Sequence, residues 1–261
     1  MTDLLSSILS VVRSAGELIR DIEPVTELTH KEGPANFVTK YDSMVQSYLI
    51  RNLSLLLPDA SFLGEEDGLS EEKVGDGYTF ILDPIDGTTN FICSFMLSGI
   101  SVGLTYKHEM LIGIVFNPFR NEMFYSQKNR GSYLNGRRLM MKEGLLNTGV
   151  VNFGTAPYNP ELRDFAFDAA KIISYHTMDL REIGSAALGL CYTACGRCAA
   201  YASPRLCVWD YAAASLIIQE ANGMLTSFDG TALSYRSGIS VIASNPQGHA
   251  EFLNLIEPLL Q

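Results

Sequence analysis

Two aspartates stand close together in the stretch ILDPIDGTTNF, residues 81–91, where an apolar run meets a turn. Pro84 cannot donate to a strand ladder, so we expect the strand to end near Asp83, and the glycine after Asp86 permits a bend. The two carboxylates and the carbonyl oxygen of Ile85 can then converge on one point. Oxygen ligands of this kind suit Mg²⁺, which usually shares a phosphate with the protein.

The same stretch also has a purely structural interpretation. In an Asx-type turn both aspartates accept backbone N–H groups, and the motif alone leaves this alternative open. A calcium loop of the EF-hand kind is excluded by spacing, because Ile85 holds its third position and Ser94 its twelfth. If a helix begins after the turn, the N–H groups of Gly87 and Thr88 face outward and can hold a phosphate oxygen.

Further acids follow or precede other predicted elements. Glu65 and Glu66 end the strand of FLGEED, and Asp42 in VTKYD and Asp210 in VWDYAAA lie near helix starts. Each has an alternative role: Asp42 closes a capping box with Thr39, Asp210 faces a helix dipole, and the glutamates are solvated loop charges. Taken singly, none of these acids indicates a site.

The elements that must position these acids fall into two groups. Over residues 1–145 we expect two helices and then a largely antiparallel sheet, an α+β half that carries most of the acids. Over residues 146–261 strands and helices alternate, which predicts an α/β half with helices on a mixed or parallel sheet. The strand-like runs of the first half are ASFLGEE, GYTFILDP, GISVGLTYK, MLIGIVFNP, EMFYSQK and SYLNGRRL.

Composition restricts the partners. The 261 residues are 47% hydrophobic, and 29 acids against 19 bases give a net charge of −10. This balance argues against binding of nucleic acid or of an anionic membrane surface. The N-terminal segment is amphipathic with a helical period rather than a signal peptide, and no apolar run reaches membrane-spanning length, so we expect a cytoplasmic protein.

Three of the five cysteines form a C-x3-C-x2-C pattern in CYTACGRC. That spacing is also found in radical-SAM enzymes, where it holds an iron–sulfur cluster. However, Cys191 and Cys195 fall on one face of a predicted helix, and Gly196 suits its end. We therefore expect these thiols to be reduced and packed in the core.

Together the acid-bearing segments resemble the inositol monophosphatase family of lithium-sensitive, metal-dependent sugar phosphatases. The segments GEE (64–66), DPIDGTTNF (83–91) and WDYAAA (209–214) look like its three motifs. FVTKYD and REIGSAALGLC resemble its threonine-x-x-aspartate and pocket-lining segments. The resemblance implies a layered αβαβα sandwich, a homodimer, and hydrolysis of a small-molecule phosphate monoester with two or three Mg²⁺ ions per subunit.

The resemblance also assigns metal ligands. It implies a first metal on Glu65, Asp83 and the carbonyl of Ile85, a second on Asp83, Asp86 and Asp210, and a third, weaker metal on Glu65. Such ions would offset the charge of the phosphate and steady the leaving oxygen during in-line displacement. An acidic protein would thereby accept an anionic substrate.

The catalytic and substrate residues are implied in the same way. Thr88, paired with Asp42 and assisted by Glu65, would orient or deprotonate the attacking water, and Gly87 and Thr88 would donate to the phosphate. The remaining positions that the resemblance implies are Gly184, Ser185, Ala186, Ser203 and Thr155 for the substrate, and Glu66 and Lys31 near the active site.

Two positions depart from the family pattern. Inositol-hydrolysing members have a glutamate seven residues before the WD aspartate, where this chain has Ser203, and Asn36 replaces a usual aspartate. A charged acceptor for sugar hydroxyls is typically worth about 1.5–3 kcal/mol. The substrate therefore stays open between inositol 1-phosphate, histidinol phosphate, fructose 1,6-bisphosphate, a 3′-phosphonucleotide and NADP.

Two other functions compete with this one. A phosphoaspartyl phosphatase uses a similar D-x-D-G-T motif, but its aspartates are two residues apart, whereas Asp83 and Asp86 are three apart. A non-catalytic scaffold that binds phosphorylated ligands is the second alternative. Loss of Asp83, Asp86 or Thr88 would be its expected mark, and all three are present.

Overall fold

The computed structural model describes residues 2–22, 29–30, 37–66, 69 and 74–260. In chain order, and apart from short 3₁₀ turns, its elements are α1 (Thr2–Arg20), β1 (Thr29–His30), β2 (Phe37–Val38), α2 (Lys40–Leu56), β3 (Ser61–Gly64), β4 (Tyr78–Asp86), α3 (Thr88–Ile92), β5 (Gly99–Tyr106), β6 (Glu109–Asn117), β7 (Glu122–Gln127), β8 (Ser132–Leu134), β9 (Arg137–Leu139), β10 (Val150–Phe153), α4 (Arg163–Ser174), β11 (Asp179–Arg181), α5 (Ala186–Ala194), β12 (Ala200–Leu206), α6 (Val208–Glu220), β13 (Met224–Thr226), β14 (Ile239–Ser244) and α7 (Pro246–Ile256).

The first sheet has the strand order β3-β4-β5-β6-β7-β8-β9. Its neighbours pair antiparallel except β3 and β4, which are parallel. Helices α1 and α2 cover one face. Helix α1 buries Ile8, Val12, Ala15 and Ile19, whose spacing places them on a single stripe against the sheet. The amphipathic helix and the largely antiparallel sheet predicted from the sequence are confirmed.

The second sheet is mixed, with the order β11-β10-β12-β14-β13. Strand β10 runs parallel to both of its neighbours, whereas β14 runs antiparallel to β12 and β13. Helices α5 and α6 lie between the two sheets, and α4 and α7 cover the outer face. The layers therefore alternate helix, sheet, helix, sheet, helix, as expected.

The two sheets separate in sequence between Leu139 and Val150. This agrees with the expected boundary between residues 1–145 and 146–261, but the division into two folding units stays a prediction. Helix α6 belongs to the second half and still packs on strands of the first sheet. No helix in the described part of the chain is long and apolar enough to cross a bilayer.

The expected end of strand β4 at Asp83 is wrong. The strand continues to Asp86, and its pairing with β5 shifts between Asp83, opposite Ser101, and Asp86, opposite Gly99. Strand β4 thus has one more residue than β5 between these two pairs, as in a β-bulge. The bulge accommodates Pro84, which has no N–H to pair, without ending the strand.

The cysteines of CYTACGRC lie in and after helix α5. Cys191 and Cys198 are buried in the core between the sheets, and Cys195 caps the helix C-terminus. Gly196 follows in the left-handed region with φ 78. This placement supports the packing interpretation of the motif.

Substitution of Gly113 by alanine is expected to destabilise the fold by about 2 kcal/mol or more, the upper part of the range for overpacking. A Cβ on Gly113 in β6 would lie 2.1 Å from the carbonyl oxygen of Ala213 in α6. Because this neighbour is helix backbone, it cannot rotate away. Helix α6 would have to move, and the acid at its start, Asp210, would move with it.

Urea unfolding of Gly113→Ala beside Gly77→Ala tests this expectation. A Cβ on Gly77 would meet nothing within 4 Å, so that variant is expected to unfold like the wild type. Equal midpoints for all three proteins would contradict the close approach of α6 to β6.

Candidate active site

Three aspartates converge where strand β4 ends and helix α6 begins. One carboxylate oxygen each of Asp83, Asp86 and Asp210 lies within 4.8 Å of the others. The side chains of Asp83 and Asp86 are 1% and 6% exposed, and Asp210 is partly buried. Two segments far apart in sequence are thus brought to one point by the packing of α6 on the first sheet.

Each carboxylate is held by backbone donors. Asp83 accepts the N–H of Ile85 at 3.1 Å within the bulge. Asp210 is the third residue of α6 and accepts the N–H of Cys207 at 2.7 Å, which closes the helix N-terminus. The Asx-type contact is therefore present at Asp83, and Asp210 lies at a helix N-terminus, as its alternative role requires. They coexist with the cluster, because each carboxylate has a second oxygen.

Asp86 is fixed by the start of helix α5. Its carboxylate accepts the hydroxyl of Ser185 and the N–H groups of Ala186 at 3.1 Å and Ala187 at 2.9 Å. A carboxylate at a helix N-terminus is stabilised by the orphan N–H groups there. The sequence predicted a helix in this segment, but it did not indicate this contact, because an N-cap serine signals a helix start and not the acid that it meets.

The carboxylates repel one another in a poorly solvated site. Burial first, and then the charges of Glu65, Asp86, Asp210 and Asp42, raise the pKa of Asp83 well above its usual value. Burial, and then Asp86 and Glu65, do the same for the pKa of Asp210. The pKa of Asp86 rises to about 6, mainly through burial and against the opposing hydrogen bonds from α5. Ionised together, these groups need a cation nearby.

This donor set fits a divalent metal ion. It offers several hard oxygen ligands, and among the described residues the charges that contribute most to its raised pKa values are those of other acids. Glu65 lines the same cavity and raises the pKa values of all three aspartates, although it does not belong to the group of three within 4.8 Å.

Asp42 is fully buried and closes the start of helix α2. Its Oδ2 accepts the N–H of Thr39 at 2.8 Å and the Thr39 hydroxyl at 2.6 Å, so the predicted capping box is confirmed. The Thr88 hydroxyl donates to the carbonyl of Ile85 at 3.1 Å. Since Asp42 raises the pKa of Asp83, it lies near the site, but its pairing with Thr88 stays a prediction.

Gly87 forms the turn between β4 and α3. It adopts the left-handed region with φ 88, and a Cβ there would lie 2.8 Å from the carbonyl oxygen of Gly184. Both the backbone angle and the close approach therefore require glycine. The expected helix after the turn is present as α3, whose first residue is Thr88.

A cavity of about 680 Å³ opens beside the carboxylates. Its described lining includes the following predicted site residues: Glu65, Asp83, Ile85, Asp86, Gly87, Thr88, Thr155, Gly184, Ser185, Ala186, Ser203 and Asp210. Glu66 and Asp42 do not line this cavity. Glu66 is buried, and its main chain is bonded to Gln46 at 2.8 and 3.2 Å, so its role near the active site stays a prediction. Lys31 and Asn36 lie outside the described residues.

The far wall of the cavity comes from the second sheet. Thr155 is held by Glu182, which accepts its N–H at 3.0 Å and its hydroxyl at 3.0 and 3.1 Å. Ser203 donates to the carbonyl of Arg205 at 3.2 Å. Sequence reasoning missed Glu182 and Arg205 as lining residues. The alternation Tyr201, Ser203, Arg205 along a strand was the available signal, because such residues share a face.

Known proteins match this chain over its length. A sequence model of the inositol monophosphatase family matches residues 1–260. An inositol-1-monophosphatase of Caulobacter vibrioides is 32% identical over 250 residues, 92% of this chain and 95% of that protein. The Nus factor SuhB of Pseudomonas aeruginosa is 34% identical over 270 residues, 100% of this chain and 98% of that protein.

The fold agrees with these matches. An IMPase structure from Thermotoga maritima superposes with a TM-score of 0.88 at 28% identity, covering 99% of this chain and 98% of the other. The likeness extends through both sheets and the helices between them. This chain therefore belongs to the inositol monophosphatase family, whose enzymes are phosphoric monoester hydrolases.

Proposed function

We propose that this protein hydrolyses small phosphate monoesters with Mg²⁺ as its cofactor. The observation that carries the proposal is the group of three aspartates, two of them buried, that opens into a cavity large enough for a small organic phosphate. Glu65, Asp83, Asp86, Asp210 and the carbonyl of Ile85 would hold two or three ions.

The bound metal would supply charge neutralisation for the phosphate and polarise its oxygens. The chain's own residues would do the rest. The N–H groups of Gly87 and Thr88, at the turn into α3, would donate to phosphate oxygens. Thr88 and Asp42, with Glu65, would orient the attacking water and accept its proton, since these carboxylates lie beside the cavity or influence its acids.

The second half of the chain would hold the alcohol part of the substrate. Gly184, Ser185 and Ala186 line the cavity from the start of α5, Thr155 lines it from the loop after β10, and Ser203 lines it from β12. Inositol 1-phosphate is one candidate substrate. Histidinol phosphate, fructose 1,6-bisphosphate, a 3′-phosphonucleotide and NADP are the others, because Ser203 is a short neutral residue.

Phosphate release from a panel of these monoesters tests the proposal. Release is expected to require Mg²⁺ and to stop when EDTA is added, because removing the cation leaves the aspartate cluster unable to bind an anion. Excess Mg²⁺ added after EDTA should restore it. Turnover that persists in EDTA would contradict the metal mechanism, and no release from any monoester would contradict the proposed activity.

A hydroxylamine trap separates this mechanism from that of a phosphoaspartyl phosphatase. Water attack predicts no hydroxylamine-sensitive aspartyl phosphate during turnover. Crystals soaked with Mn²⁺ should show density among Glu65, Asp83, Asp86 and Asp210. Ordered Mn²⁺ elsewhere, with none there, would contradict the assigned ligands.

A binding role is the second candidate, because the relative from Pseudomonas aeruginosa is named a Nus factor. The presence of the aspartate cluster favours catalysis over a purely non-catalytic scaffold. We also propose a homodimer in the cytoplasm, inhibition by lithium, and no nucleic-acid or membrane partner. Light scattering tests the homodimer, and assays in LiCl test the inhibition by lithium.

A further inference from the structure

The cavity has a cationic group that the proposed reaction does not use. Its described lining includes two arginines, Arg181 and Arg205. The charge of Arg181 is paired within strand β11, because Arg181 forms an ion pair with Asp179 and also donates to the carbonyl of Leu180 at 2.7 Å. Arg205 is therefore the residue whose charge needs an explanation.

Arg205 has a weak partner in the described structure. Its Nη1 lies 4.0 Å from Oε1 of Glu161, and the two side chains are 46% and 62% exposed. An ion pair of this length and exposure contributes little. The charges that contribute most to the raised pKa values of Asp83, Asp86 and Asp210 are those of other acids, and Arg205 is not among them.

The backbone around Arg205 is fixed. Along β12 Tyr201 and Ser203 line the cavity from alternate positions, and beyond Ser203 both Arg205 and Leu206 line it. The pairing of β12 with β14 shifts between Ser203 and Leu206, and the Ser203 hydroxyl donates to the carbonyl of Arg205 at 3.2 Å. Because this backbone is already ordered, little backbone entropy would be lost when the guanidinium binds a ligand.

The position of Arg205 relative to the cluster follows from the strand. Ser203 is a short side chain that uses its hydroxyl within the strand, so it leaves room rather than filling the cavity. Arg205 is two residues further along, roughly 6–7 Å at the usual rise of a β-strand. The cavity thus has an acidic, cation-requiring end and, separately, a guanidinium.

We propose that the substrate carries a second anionic group, which the guanidinium of Arg205 binds while the first phosphate lies at the aspartate cluster. This inference rests on the proposed function and names its substrate class, a phosphate monoester with a second phosphate. The planar fork of arginine donates two parallel hydrogen bonds to such a group, which a lysine cannot do. The cavity of about 680 Å³ is within the size range for ligands larger than a single sugar.

Matched pairs of probes test the proposal. Adenosine 3′,5′-bisphosphate is compared with adenosine 3′-monophosphate, and fructose 1,6-bisphosphate with fructose 1-phosphate, at constant free Mg²⁺. The wild-type kcat/KM is expected to favour the bisphosphate of at least one pair by about tenfold or more, a size typical of one charge-assisted contact. That preference should weaken as salt is added.

Variants then assign the preference to one side chain. In Arg205→Ala the ratio of the two kcat/KM values should fall at least tenfold, and Arg205→Lys should recover part of it. Arg163→Ala is the matched control, because Arg163 is exposed and lies outside the described cavity lining, so its ratio should equal that of the wild type. Equal melting temperatures exclude misfolding as the cause.

The outcomes separate the two proposals. Release from both members of each pair at equal kcat/KM, or a preference that survives in Arg205→Ala, overturns the second-anion inference and leaves the phosphatase intact. If no probe is hydrolysed, the proposed function fails. The same pairs are then compared by calorimetric binding in Mg²⁺, where a tenfold preference that depends on Arg205 is still required and its absence overturns the inference.

Discussion

Asp86→Asn is expected to lower kcat/KM for phosphate release by about a hundredfold or more, a loss typical of removing a group that stabilises transition-state charge. Asp86 is one of three aspartates whose oxygens lie within 4.8 Å of one another. Asparagine removes one negative charge and one oxygen from that group. Three donors, from Ser185, Ala186 and Ala187, bind the two oxygens of Asp86. In asparagine one of these oxygens is replaced by an NH₂ group, which cannot accept a hydrogen bond.

The affinity for Mg²⁺ distinguishes a ligand from a merely structural residue. Calorimetric titration of Asp86→Asn is expected to show weaker Mg²⁺ binding than the wild type, in parallel with the kinetic loss. Asp164→Asn is the control, because Asp164 is an exposed residue in the first turn of α4, and it should keep wild-type values. Normal turnover of Asp86→Asn, or lost turnover with unchanged Mg²⁺ affinity, would contradict the assignment.

Much of the architecture could be predicted because the local and global signals agree. Helix α1 has apolar residues on one stripe, and the strands of the first half are separated by turn residues, so their element type is encoded nearby. Helix α6 differs, since Ala212, Ala213 and Ile217 bury several of its faces at once. Such a helix must lie between two layers, and the glycine that admits it, Gly113, is 100 residues away in sequence.

The site was harder to predict in its details. The motif around Asp83 indicated the ligands, but Pro84 suggested a strand end where the chain forms a bulge instead. The contact of Asp86 with Ser185 depends on how α5 meets β4, which no spacing within either segment encodes. The lining by Arg205 likewise depends on where strand β12 of the second sheet lies relative to the aspartates. Tertiary geometry decided these points.

The metal-free protein is expected to lose stability as the pH rises from about 4 to 7. The pKa of Asp86 is about 6 in the fold against 3.8 in the unfolded chain. A raised pKa means that the folded state holds the proton more tightly. The resulting contribution to stability is full below pH 3.8 and is lost as the pH rises through about 6, to a total of about 3 kcal/mol for this group at 1.36 kcal/mol per pKa unit.

Asp83 and Asp210 add to this loss, since their pKa values are also raised, first by burial and then by repulsion from the other acids. Mg²⁺ should reverse it, because a cation bound only to the folded state both stabilises the fold and removes the repulsion. We expect the melting temperature in EDTA to fall as the pH rises, by roughly 2–4 °C for each kcal/mol of stability lost. Mg²⁺ should raise the melting temperature more at pH 7.5 than at pH 5.

Asp86→Asn separates this cluster from all other titrating groups. An amide has no charge to desolvate, so the variant without metal should melt above the wild type at pH 7.5 and close to it at pH 4. It should also gain less from Mg²⁺. The Asp86 carboxylate would then destabilise the metal-free fold although the reaction requires it. Parallel pH profiles for the two proteins in EDTA would contradict this, because the ionised aspartates would then cost the fold nothing.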